Sequence, residues 1–330
     1  MSKNILIVGC GSIGERHLRC LLKTGRASVT ACETNAALRD KISNEHKVPV
    51  SANLEETLQQ NRFDGIVIAT PAQTHVELAQ ACLQTGAGLL VEKPLSTGFD
   101  GVAELECELR QRKSFFGVGY IYRFAPAVKQ AHEFIAGGTL GKPLHASVVC
   151  GQHFPTFRPA YREIYYTRHE TGGGAIQDAL THLVNAIEWF LGPTTQVFCD
   201  AKHQALEGIE VEDTVNAIAR NGNALVSYSL NQFQAPNEIT FQIHCERGSL
   251  KVELHEQRWG VFAKSGSAWE FHPAPTRERD EWFIAQANSF LDGLDGKTNG
   301  LCSLAEGLHT LKFNLAALES ARTGQPVFIS

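Results

Sequence analysis

Asp178 and His182 stand four residues apart in "GGGAIQDALTHLVNAIEWFLG", a stretch with the apolar spacing of a helix. At i and i+4 the two side chains share one helix face. A carboxylate so placed can orient an imidazole and support its charged form, and histidine titrates near neutral pH, which suits reversible proton transfer. Ile176, Leu180, Leu183, Val184 and Ile187 spread over the other faces and would anchor the helix. A second candidate is Lys93. The apolar run in "LLVEKPLST" reads as a buried strand that ends in Glu92, Lys93 and Pro94. Burial beside a cationic ring would depress the lysine pKa and make a neutral lysine base available. The plainer readings are a solvated i,i+4 pair and an ordinary charged strand end. No metal is expected: Asp178 and His182 lack a third and fourth ligand at recognisable spacing, and H-E-x-x-H is absent.

A third constellation is "NILIVGCGSIGERHLRCL". Gly9, Gly11 and Gly14 follow a strand and open a helix, with Ser12 and Ile13 between the last two. In that context G-x-G-x-x-G gives a tight turn, a close approach to a pyrophosphate, and tight helix–strand packing. The helix N-terminus adds N–H donors and partial positive charge for phosphates. Glu33 ends the second strand, where an acidic side chain hydrogen-bonds adenosine ribose hydroxyls and repels a 2′-phosphate. NAD is therefore expected over NADP, with Arg16 and Arg39 as residues that could soften the preference. Thr70, Pro71 and His75 close the fourth strand in "VIATPAQTH", and ligands of open parallel sheets bind beyond such ends. Helix capping and packing is the competing reading of His75.

These residues need elements to hold them. "NILIVG", "SVTACE", "GIVIAT", "GLLVEK" and "FFGVGYIY" are strand-length apolar runs. Helical segments at 14–23, 35–46, 53–60, 74–85 and 98–113 separate them. Such alternation implies α/β architecture, a doubly wound parallel sheet of Rossmann type. After Arg123 the pattern changes. A helix at 126–136, the strand "PLHASVVCGQ" and a polar aromatic loop lead to the Asp178 helix. "TQVFCDAK", "EDTVNAIAR", "ALVSYSL", "EITFQIHC", "SLKVELHE" and "WGVFAKS" then follow with short turns, which predicts an α+β domain with a large, mostly antiparallel open sheet. Helices near 280–292 and 303–323 close the chain. The expected division is 1–123 for the dinucleotide domain and 124–330 for a substrate and oligomerisation domain, with helix 303–323 a candidate to pack back on the first.

The loop at 152–169 carries Gln152, His153, Arg158, Tyr161, Arg162, Tyr165, Tyr166, Arg168 and His169. Arginines interleaved with tyrosines suit a polyhydroxylated or an anionic ligand, through forked hydrogen bonds and ring contacts. A subunit contact is the alternative. Tyr122 and Arg123, after the sixth strand, are further candidates to line a site.

Composition narrows the classes. The chain has 330 residues, 43% hydrophobic and 20% charged, enough for a full core. A net charge of −5 disfavours nucleic acid, whose phosphates need clustered cations. No apolar run approaches a membrane span, and the N-terminus lacks the long h-region of a signal peptide. Nine scattered cysteines without a C-x-x-C pair read as reduced thiols in the cytoplasm.

Taken together, "GCGSIGERH", "ATPAQTH", "VEKPL", "GYIYRFAP" and the Asp178 helix resemble the Gfo/Idh/MocA oxidoreductases over nearly the whole chain. The resemblance implies NAD(P)-dependent oxidation or reduction of sugars, inositols and related polyols, in homodimers or homotetramers built through the C-terminal sheet. The family's E-K-P motif matches Glu92-Lys93-Pro94, with Glu92 and Lys93 near the cofactor, and its catalytic Asp and His match Asp178 and His182. Many relatives have Gly two residues before that His, where this chain has Leu180. Substrate contacts are then expected from Lys93, Tyr122, Arg123, Gln152, His153, Arg158, Tyr161, Asp178 and His182. Either Lys93 or His182 could transfer the proton; His182 is favoured, with Lys93 polarising the substrate oxygen. Some relatives instead cleave glycosides by transient C3 oxidation and elimination, and the loop could supply the extra base for that.

Overall fold

Short apolar runs bounded by glycine and helix-capping residues form the strands of one parallel sheet. In the computed structural model, which describes residues 2–266, 268–275, 278–298 and 300–330, these are β1 (Lys3–Val8), β2 (Ala27–Cys32), β3 (Val50–Ser51), β4 (Gly65–Ile68), β5 (Gly88–Val91) and β6 (Phe116–Val118). They pair in the order β3-β2-β1-β4-β5-β6. Helices α1 (Ser12–Lys23), α2 (Ala36–His46), α3 (Leu54–Gln60), α4 (His75–Leu83) and α5 (Val102–Arg112) form the crossovers. Asn35 and Asn53 cap α2 and α3 by accepting from backbone N–H groups, which starts each helix where the sequence does. β4 and β5 are buried at every position, as a sheet covered on both faces requires. The register levels the strand ends: Val8 faces both Cys32 and Ile68, Ile68 faces Val91, and Val91 faces Val118. Residues just after those positions therefore share one edge.

The rest of the chain adds α6 (Pro126–Ala136), β7 (Pro143–Gly151), the single helical turn α7 (Phe154–Phe157) and α8 (Thr181–Leu191). Strands β8 (Thr194–Lys202), β9 (Thr214–Asn221), β10 (Ala224–Asn231), β11 (Glu238–Cys245), β12 (Gly248–Glu253), β13 (Arg258–Ala263) and β14 (Glu270–Pro273) follow, then α9 (Arg279–Leu294), α10 (Leu304–Thr323) and β15 (Val327–Phe328). Nine of these strands form one sheet in the order β14-β13-β12-β11-β7-β10-β9-β8-β15. The predicted meander is thus split by β7, which runs parallel to β10 and antiparallel to β11. "FFGVGYIY" is shorter than a full strand: β6 gives way to a 3-10 turn over Ile121–Phe124.

Contacts divide the chain into two compact units, Met1–Phe124 with Arg277–Gly307, and Ala125–Thr276 with Leu308–Ser330. A single cut after residue 123 assigns 277–307 to the second unit; the contacts assign them to the first. The helix that returns to the first unit is α9, while most of α10 belongs to the second. The reason is apolar burial. Ala287, Phe290 and Leu291 of α9 join Ile5, Ile7, Val67 and Leu90 in one core cluster. A Cβ on Gly88, at the start of β5, would lie 2.3 Å from the Leu294 side chain, so the glycine lets α9 approach. Among the described residues no helix is long and apolar enough to cross a membrane.

Candidate active site

The first unit gathers its predicted residues on the level edge of the parallel sheet. Gly9 follows β1 with φ +85°. A Cβ on Gly14 would sit 1.8 Å from the Gly9 carbonyl oxygen, so only glycine lets α1 start this close to the turn. Gly11 has open space where its Cβ would be, and α1 begins with no side-chain cap. Its first N–H groups therefore point where an anion can take them. Glu33 reaches the same turn: its Oε2 accepts from Cys10 N at 2.7 Å and its Oε1 from Asn35 N at 2.8 Å. This cradle, with a fixed carboxylate at its rim, fits an adenine dinucleotide lacking a 2′-phosphate. Of the two arginines that could soften that preference, Arg39 stays beside Glu33 and Arg16 is engaged elsewhere. Arg39 donates to the carbonyls of Glu33 and Thr34, and Arg16 pairs with Asp280.

Glu92 and His75 are both held by partners inside the first unit. Glu92 is 7% exposed, and its Oε1 lies 2.6 Å from His17 Nε2 on α1. Its Oε2 accepts from the Lys93 N–H at 3.1 Å. Burial works to raise the Glu92 pKa, but the His17 hydrogen bond and the charges of His17 and Lys93 outweigh it and hold the carboxyl below its ordinary value. An ionised carboxylate only accepts, so His17 carries its proton on Nε2. Glu92 thus ties the glycine-loop helix to the strand end that presents Lys93, with His17 as the partner the sequence reading missed. The available signal was its place beside Leu18, Cys20 and Leu21 on the buried face of α1. His75 is also buried; its Nδ1 lies 2.9 Å from the Pro94 carbonyl and its Nε2 2.9 Å from the Thr70 carbonyl. Burial lowers its pKa on balance, while the two carbonyls, which only accept, favour the protonated ring; the imidazole stands between two strand-end turns. Thr70 and Thr74 share a 2.7 Å hydrogen bond beside exposed Pro71. The Lys93–Pro94 peptide is cis.

Two further candidates of this unit are placed. Tyr122 is half-buried in the turn after β6. Arg123 is 4% exposed and donates to Glu306 Oε1 at 2.8 Å, so its guanidinium is spent inside the fold. Burial works to raise the Glu306 pKa, but Arg123 and the Ser303 N–H outweigh it and hold the carboxyl low.

In the second unit Asp178 and His182 lie across a change of helix type. Ile176–Leu180 is a π-helical turn that passes into α8 at Thr181. Such widened turns recur at functional sites. Asp178 is 2% exposed; Tyr165 donates its hydroxyl to Oδ1 at 2.6 Å, and Arg158 Nη1 lies 3.5 Å from Oδ2. His182 is half-buried. The predicted loop is a chain of short helical turns rather than a structureless segment. Phe154, Tyr161 and Tyr166 form a core cluster with Leu206, Ile209 and Val211. Tyr161, expected as a substrate contact, is a core residue whose hydroxyl donates to the Glu207 carbonyl at 2.8 Å. Gln152 is tied through its N–H to Asn231, and His153 lies 2.8 Å from the Thr156 hydroxyl. Glu212, which drew no attention in the sequence, accepts from Ile176 N at 2.9 Å and contacts His169 at 2.5 Å, anchoring the π turn. Among the described residues no cluster could hold a metal ion.

Comparison with known proteins fits this geometry. Residues 3–120 match the oxidoreductase family with an NAD-binding Rossmann fold, and residues 128–251 match the GFO/IDH/MocA C-terminal domain. The chain is 24% identical to 1,5-anhydro-D-fructose reductase of Ensifer adhaerens over 326 residues, 97% of this chain and 96% of the relative. A levoglucosan dehydrogenase in complex with NADH and levoglucosan superposes with TM-score 0.90 at 20% identity, covering 100% of both chains. The WlbA dehydrogenase of Bordetella pertussis in complex with NADH and UDP-GlcNAcA superposes with TM-score 0.83 at 23% identity, covering 100% of this chain and 99% of that one.

The buried Glu92 pair yields a pH-dependent expectation. With its folded pKa below the ordinary 4.5, Glu92 stabilises the protein fully above that pH and progressively less as pH falls through the folded value. Glu92→Gln should cost about 1–3 kcal/mol at pH 7. Urea unfolding should show that deficit shrinking below pH 4.5; a deficit independent of pH would refute the ionised pair.

Proposed function

The chain belongs to the GFO/IDH/MocA oxidoreductase family, and from that premise we propose that it transfers a hydride between NAD(H) and a secondary alcohol of a sugar or polyol. The observation that carries this reading is the pairing of an NAD cradle at the glycine loop with a lysine at a strand end of the same edge. The nicotinamide, when NAD is bound, supplies the hydride acceptor. The protein must then manage the hydroxyl proton and hold the reacting carbon. We assign the proton to His182, oriented and charge-balanced from Asp178, and give Lys93 the task of polarising the substrate oxygen. His75 and Glu92 act one step back, by fixing the backbone on either side of Lys93. The relatives' sugar substrates support the carbohydrate class. Redox-assisted glycoside cleavage finds no support in the relatives named above.

The nine cysteines are thiols, eight of them buried, which supports a reducing, cytoplasmic setting. A second copy of the chain is the proposed partner. Phe198, Ile218 and Leu225 on adjacent strands β8, β9 and β10 are exposed. Such a patch suits an isologous interface.

Four measurements test this reading. With sugars, inositols, uronates and nucleotide sugars as probes, absorbance of reduced nicotinamide should rise with at least one compound. Lys93→Ala should then cut kcat by about a hundredfold to ten-thousandfold while NAD affinity is kept; unchanged turnover removes Lys93 from the chemistry. Glu33→Ala should weaken the preference for NAD over NADP, and an unaltered ratio of kcat/KM values would discard the ribose assignment. Sedimentation velocity should give a dimer or tetramer that Ile218→Glu dissociates; a monomeric wild type would exclude the sheet interface.

A further inference from the structure

The loop before the Asp178 helix is rich in cations, which at sequence level suits either a polyhydroxylated or an anionic ligand. The relatives do not choose between these: one superposing structure holds levoglucosan and another UDP-GlcNAcA. The structure shows where three of them go. Arg158 faces Asp178 Oδ2 at 3.5 Å. Arg162 faces Glu207 at 3.3 Å, and its Nε donates to the Tyr161 hydroxyl at 3.0 Å. His169 faces Glu212 at 2.5 Å, and that hydrogen bond raises its pKa. Each of these three cationic side chains is therefore matched by a carboxylate of the same unit. A buried carboxylate such as Asp178 needs this compensation, because desolvating it without a partner is costly.

The placement of Arg158 and Tyr165 is built rather than incidental. The Arg158 guanidinium lies 5.2 Å above the Phe154 ring, and Phe154 belongs to the buried aromatic cluster. Thr171 donates its hydroxyl to the Tyr165 carbonyl at 2.6 Å, and neighbouring Tyr166 is locked in the core through Gln232. The two loop side chains thus address the two oxygens of one carboxylate from fixed backbone positions.

Resting on the reading of Asp178 and His182 given above, we infer that Arg158 and Tyr165 are positioning residues for Asp178, and that the site takes an uncharged polyol or sugar rather than a uronate or a phosphate-bearing sugar. An arginine committed to an internal carboxylate offers no net charge to an anion. A ligand carboxylate or phosphate would have to displace Asp178 or sit beside it, and like charges at that distance repel. Hydroxyl groups meet no such penalty. The phenol holds Asp178 in one orientation and so steadies the charge that supports His182.

The test divides the carbohydrate panel into uncharged and anionic sets, read by turnover with NAD and by calorimetric titration into the NADH-loaded protein. Uncharged compounds should be preferred by about tenfold or more in kcat/KM or affinity. Arg158→Gln should lower kcat by about tenfold with KM for the sugar nearly unchanged. Tyr165→Phe, the milder variant, should shift the kcat–pH profile without lowering Tm to match. Preference for an anion, with Arg158→Gln raising its KM and sparing kcat, would overturn the inference while leaving the oxidoreductase reading intact. Binding of uncharged compounds without turnover would do the reverse. Failure of every compound to bind or react would overturn both.

Discussion

The first unit depends on a buried carboxylate that cannot be left alone. Glu92 sits at the end of β5, away from water, and must be compensated. His17 supplies the donor from the far side of the glycine turn, and the Lys93 N–H supplies a second. Because the two donors lie on different elements, one interaction sets the distance between the helix that cradles phosphates and the strand end that presents the lysine. A Cβ on Gly119 would lie 2.8 Å from Glu92 Oε1, so the neighbouring strand end is also fitted around this carboxylate. His75 repeats the device with carbonyls, joining the turns after β4 and β5. Around Lys93, backbone and side chains form a rigid frame, which suits the proposed task of holding a substrate oxygen in place.

The second unit follows the same logic with different parts. Glu212 takes the Ile176 N–H at the opening of the π turn, and Asp178 is met by a phenol and a guanidinium. Asp213, the next residue, accepts from Gln204, Ala205 and Leu206 N–H groups at 2.7–2.9 Å and from the Thr214 hydroxyl. Burial works against its charge, but these donors hold its pKa below the ordinary value. Adjacent acidic residues thus organise the segment between β8 and β9 and the opening of the π turn. Ionised side chains are being used as fixed acceptors, each worth its desolvation cost only because several donors converge on it.

Candidate residues divide by whether their reach is local. The glycine loop and its helix follow from spacing alone, since Gly9, Gly11 and Gly14 act through their own backbone. Asp178 and His182 were legible as candidates four apart on one helix; the π turn that passes between them was not. Arg123, Tyr161 and Glu92 were legible as polar residues near strand ends or in the loop, but not by role. Arg123 and Tyr161 serve the fold through Glu306 and Glu207, partners far along the chain. Spacing carries no information about such distant partners.

By itself the sequence determined the alternation of strand and helix, the dinucleotide turn, the parallel sheet, and the presence of a second, strand-rich unit. Each of these rests on near-neighbour preferences: burial period, capping, and the conformational demands of glycine. The tertiary structure alone decided that β7 inserts between β10 and β11 and that α9 rejoins the first unit. It also decided that His17 answers Glu92 and that Arg158, Arg162 and His169 face carboxylates of the same unit. Those outcomes depend on which buried charges and apolar faces meet after the chain has folded back. Desolvation makes that pairing obligatory, and only three-dimensional proximity selects the partner.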